Sequence, residues 1–89
     1  MRIWKYSLVN SLEKPIDIPE GADILCVQMQ NDEPMLWAKV NPDAPKNSRM
    51  FYVAWTGEDL LSNPLAYIGT VQKRNGIVAH VFEVLTDAN

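Results

Sequence analysis

Apolar and polar residues alternate along most of this chain, and no segment carries the stripe of about 3.6-residue period that marks an amphipathic helix. Alternation turns one face of an extended strand toward a core and the other toward water, so such a chain must fold as sheet with its apolar face covered. In "IWKYSLV", Trp4, Tyr6 and Leu8 point one way while Lys5 and Ser7 point the other. "DILCVQMQ" sets Leu25, Val27 and Met29 against Cys26, Gln28 and Gln30. "MLWAKV" sets Leu36, Ala38 and Val40 against Met35, Trp37 and Lys39, and the turn signal "NDEP" between these two runs predicts a hairpin over 23–40.

The remaining segments fit the same architecture. "PIDIP" is a short extended piece with Ile16 and Ile18 inward, and its two prolines suit a sheet edge. "PEGA" predicts a tight turn with Pro19 second and Gly21 last. Asn41 to Arg49, "NPDAPKNSR", is the longest polar connection and the candidate functional loop. "MFYVAW" resumes a strand, and "TGEDLLSNP" breaks it with room for one helical turn capped by Thr56. Asn75-Gly76 between two β-rich runs signals a two-residue hairpin turn with both residues at positive φ. "IVAHVFEVL" is apolar on both faces until Glu83, which predicts an interior strand covered on both sides. Gly69 marks a bulge or a close backbone approach. The expected fold is mostly β: a compact antiparallel sheet, roll or small open barrel of five to six strands, with at most one short helical turn.

At 89 residues the chain is expected to form a single domain over 1–85, with 86–89, "TDAN", as a flexible tail. A net charge of −3 lacks the basic face that phosphate-backbone binding needs, so direct nucleic-acid binding is not expected. The acidic run Glu13, Asp17, Glu20 and Asp23 reads as a solvated edge. The longest unbroken apolar run, Met50 to Trp55, is six residues where a membrane helix needs about 20. A cytoplasmic protein without membrane contact is the expectation.

His80 is the only histidine and sits among Val78, Phe82 and Val84. It has no nucleophile, carboxylate or second metal ligand in a recognisable motif, so it reads as a structural residue with a ring nitrogen on a backbone carbonyl. Cys26, the single cysteine, reads as an inert buried thiol and rules out an intramolecular disulfide. No catalytic residue, metal or cofactor is expected, and the chain is read as a non-enzyme. Trp37 and Trp55 are harder to assign to a core. With Tyr52 they supply stacking surfaces, and Lys39, Arg49, Lys73 and Arg74 supply cations; together these seven are the candidate site for a nucleotide-like ligand. The large aromatics are more than one thin sheet is expected to bury, so a homo-oligomer with its binding surface near the subunit contact is expected.

"IWKY", "GADILCVQMQ", "PMLWAKVNPDAP", "YIGT" and "HVFEV", taken in order over nearly the full length, resemble a family of short uncharacterised phage and prophage proteins. These motifs are strands and turns, so the resemblance implies a shared fold and no particular chemistry. What it implies about context is an accessory protein that counters host defence. In its sharpest form this is a sponge for a nucleotide-derived immune signal. The alternatives are an inhibitor of a host defence protein and a minor virion or assembly component.

Overall fold

The computed structural model describes residues 1–9, 11–12 and 14–85. Alternating segments become strands wherever their apolar face finds a cover. Seven result among the described residues: β1 (Arg2–Ser7), β2 (Ile16–Pro19), β3 (Asp23–Gln30), β4 (Glu33–Val40), β5 (Lys46–Trp55), β6 (Leu65–Gln72) and β7 (Val78–Val84). They form two antiparallel sheets, β1-β4-β3 and β2-β5-β7-β6, which pack face to face and do not close into a barrel. The mostly β expectation holds. The count rises to seven because the proline-flanked β2 is a strand in its own right, on the edge beside β5 as its prolines imply.

Val27, Leu36, Ala38 and Val40 of the first sheet and Phe51, Val71, Ala79 and Val81 of the second fill the space between them. Burying a side chain of Leu or Phe size contributes roughly 1.5–3 kcal/mol, so this interior is the main stabilising element. Trp4, Tyr6 and Trp55 pack against its margins. A second, smaller cluster of Tyr52, Ala54 and Val84 lies on the outer face of the four-stranded sheet, against Leu61, Leu65 and Phe82. Two sheets thus offer four faces, and the aromatics spread over them; they are not crowded onto one.

Several local expectations are corrected. A bulge between Ile24 and Cys26 takes one residue out of the β3–β4 register. Ile24 then packs on the core in place of Leu25, which is 49% exposed, and Cys26 is exposed. The two-residue turn with paired positive φ is Asn31-Asp32 (52° and 63°), between Gln30 and Glu33. Asn and Asp are the non-glycine residues that visit this region most readily. At 73–77 only Gly76 has positive φ, 90°, and a three-residue connection closes through Lys73 N to Ile77 O at 2.8 Å. The Asn75 side chain accepts from Ile77 N at 3.0 Å, which uses its oxygen inside the turn. The turn after β2 runs Pro19–Ala22, closed by Ala22 N to Pro19 O at 3.2 Å, with Gly21 third and not last.

The polar loop is shorter than expected. Lys46 to Arg49 extend β5 and pair with β2, since a main-chain ladder needs no apolar side chains. The segment 56–64 holds no helix; a turn brings Glu58 N to Trp55 O at 3.0 Å, and Leu61 covers the outer cluster. β7 is interior as expected, with Ala79 and Val81 fully covered, but its other face is only half covered at His80 and Phe82. Residues 86–89, expected as a tail, and Glu13 of the acidic run lie outside the described residues.

Candidate functional site

The β3–β4 and β6–β7 turns meet at one end of the sandwich, where Arg74 N donates to Asp32 Oδ1 at 2.9 Å. Beside them lies a depression of about 290 Å³, open to solvent. Leu8, Pro34, Val53 and Trp55 form its walls, with Val9 and Leu12 from the connection after β1. Alternation stops at "LVNSL", and the apolar residues it releases line this opening. Ser11 anchors that connection: its buried Oγ donates to Phe51 O at 3.0 Å.

The backbone of Trp55 is held by a reciprocal pair, its main-chain N–H donating to Glu58 Oε1 at 3.1 Å and Glu58 N donating to Trp55 O at 3.0 Å. The Lys73 ammonium sits 5.8 Å from the centre of the indole. An apolar cavity with an aromatic wall and a cation beside it suits a flat body that carries negative charge.

The seven candidate ligand residues do not gather in one place. Trp55, Lys73 and Arg74 share the pocket end. Trp37 and Lys39 lie on the outer face of the three-stranded sheet, where Lys39 pairs with Asp23 at 3.6 Å. Tyr52 is buried on the outer side of the other sheet and donates to Asp59 O at 3.3 Å. Arg49 is engaged within the fold. It donates from Nε and Nη2 to the Glu83 carboxylate at 2.8 and 2.7 Å, and from Nη1 to Ala22 O at 2.8 Å. The hydrogen bond to Glu83 raises the guanidinium pKa above its ordinary value, against the opposing effect of burial.

His80 lies away from the pocket, on the half-covered outer face. Its ring nitrogens meet threonine hydroxyls and not a backbone carbonyl: Nε2 to Thr56 Oγ1 at 2.9 Å and Nδ1 to Thr70 Oγ1 at 3.1 Å. Tyr67 Oη is 2.6 Å from Thr70 Oγ1, and Thr56 Oγ1 donates to Val78 O at 3.2 Å. The four contacts form a continuous row from Tyr67 through Thr70, His80 and Thr56 to the Val78 carbonyl. The row ends on a carbonyl, contains no carboxylate, and holds both ring nitrogens in place. Thr70 is the cross-strand partner of His80; the register of the last hairpin is the signal that points to it.

Among the described residues no group of three or more His, Cys, Asp or Glu is placed to hold a metal. No helix among them is long and apolar enough to cross a membrane.

The fold defines an all-β protein of two packed antiparallel sheets, with an aromatic-walled depression at one end. The chain belongs to the family described as a domain of unknown function, DUF7352, matched over residues 1–89. No curated protein and no solved structure matches it.

Proposed function

We propose that this is a non-enzymatic binding protein whose end pocket takes the flat, anionic portion of a nucleotide-like small molecule. The observation that carries the reading is Trp55, its backbone held by Glu58 and its side chain lining the cavity with the Lys73 ammonium 5.8 Å from the ring centre. The cavity of about 290 Å³ accepts a single ring system and leaves any remaining ligand in solvent. In the sharper form of the proposal the protein acts in the cytoplasm of a host cell and sequesters a nucleotide-derived defence signal. That context is supported by the resemblance to phage proteins alone.

Calorimetric titration with a panel of mononucleotides and cyclic dinucleotides tests the pocket, with chromatography of the mixture to detect turnover. Binding without turnover is expected. Trp55→Ala and Lys73→Ala should each weaken it about 5–100-fold, the range for losing a stacked base or a desolvated cation. Trp37→Ala, on the outer face of the three-stranded sheet, should leave it unchanged. Absence of binding at millimolar ligand, or full binding by Trp55→Ala, refutes the proposal.

A second reading rests on a different observation. Among the described residues β2 is an edge strand with one side unpaired, and Asp17, Glu20 and Asp23 are exposed along and beside it. An edge of this kind can add a strand from a basic partner protein, which fits an inhibitor of a host defence protein. Affinity capture that is lost on Asp17→Lys and Glu20→Lys, and is indifferent to nucleotides, would favour it.

A further inference from the structure

The outer face of the three-stranded sheet carries more apolar surface than a sheet facing water needs. Ile3 is 62% exposed and Leu25 49%, and with Cys26, Gln28 and half-buried Trp37 they frame a shallow depression of about 270 Å³. The chain as a whole is at −3, which opposes self-association. On this face, however, Lys5 and Lys39 balance Asp23 and Glu33, so two copies meet here without net repulsion.

The placement of those charges is also self-complementary. Along β4 the outward residues are Glu33, Met35, Trp37 and Lys39. A two-fold axis between the sheets, crossing β4 at the level of Leu36, sets Glu33 opposite the partner's Lys39 and Met35 opposite the partner's Trp37. Along β3, Asp23 lies level with Lys39 and Gln30 level with Glu33. The same axis therefore sets Asp23 opposite the partner's Gln30. Lys5 Nζ reaches across β4 to donate to Gln30 Oε1 at 2.6 Å, so Asp23 also faces the partner's Lys5 ammonium. One operation pairs both acids with both lysines and covers the tryptophan.

We infer that this face is the contact between two copies of the chain, packed antiparallel about that axis. Three strands about 4.8 Å apart, up to eight residues long at about 3.4 Å each, project roughly 400 Å². Allowing for side-chain relief, the contact buries on the order of 1,100 Å² in total, the lower end of specific interfaces. A reversible dimer in the micromolar range follows. It leaves the end pocket open and is independent of what the pocket binds.

Sedimentation equilibrium of the full chain from 5 to 500 µM tests this. A dimer is expected for the wild type. Lys39→Glu, which sets two carboxylates together at each end, should weaken it at least ten-fold, as should Trp37→Ala. The swap Glu33→Lys with Lys39→Glu should restore dimerisation to within about three-fold. Loss of the internal Lys39–Asp23 pair alone would not be repaired by that swap, and circular dichroism confirms that each variant folds. A wild-type monomer throughout, a dimer indifferent to Lys39→Glu, or a double swap that fails to recover overturns the inference.

Discussion

A Cβ atom on Gly69 would lie 2.8 Å from Val27 Cγ2 in the opposite sheet, where ordinary contacts begin near 3.4 Å. Gly69→Ala must therefore open the sandwich locally by at least about 0.6 Å. Val27 cannot simply turn aside: it is buried, and a β-branched side chain is held at χ1 by its backbone. Overpacking of this sort costs about 1–3 kcal/mol. Gly69 does not have a positive φ, so alanine recovers about 0.4–1 kcal/mol by stiffening the unfolded chain. The net loss is about 1–2 kcal/mol, a fall in Tm of roughly 4–16 °C for a domain this size. Val27→Ala removes the obstructing methyl. In that background Gly69→Ala should be neutral or stabilising, because the new methyl enters the space just vacated. Urea unfolding of the four proteins gives the coupling directly, expected at about 1 kcal/mol or more. An unchanged or raised midpoint for Gly69→Ala in the wild-type background would refute the reasoning.

Three further outcomes are expected. Tyr6 Oη is buried without a hydrogen-bond partner among the described residues, so Tyr6→Phe should leave stability unchanged or raise it by up to about 1 kcal/mol in urea. Burial raises the pKa of that phenol. The unfolded chain therefore ionises first, and stability present below about pH 10 is lost as pH climbs toward the folded value. The alkaline unfolding limb of Tyr6→Phe should be correspondingly less steep. Arg49→Gln strips Glu83 and Ala22 O of their donors and should cost about 1–3 kcal/mol, with Arg49→Lys recovering only part. Gly76→Val places a β-branched residue at φ 90° and should lower Tm by several degrees; an unchanged melting curve would mean the hairpin closes differently.

The aromatic site was the least legible part of the molecule. Trp37 lies inside an alternating run and Trp55 ends an apolar one, and neither position says that one faces outward from the three-stranded sheet while the other lines the end pocket. Arg49 reads as a free cation until β5 carries it to Glu83, 34 residues away. Neither fact is a local property of the chain. Both depend on which sheet a strand joins, and strand-joining is decided by long-range pairing.

Alternation of side chains is a local consequence of extended backbone, and it settled the all-β class and the inward faces of β1 and β4; with the turn signal at 31–34 it gave the hairpin over 23–40, and the prolines gave the edge position of β2. What it did not determine was set where one element meets another. The bulge that turns Leu25 outward answers the β4 register. The extension of β5 through polar residues answers a ladder offered by β2. The division into two sheets, with Gly69 packed against Val27, answers the need to cover two apolar faces at once. Periodicity says that a face must be covered; only packing between distant segments decides by what.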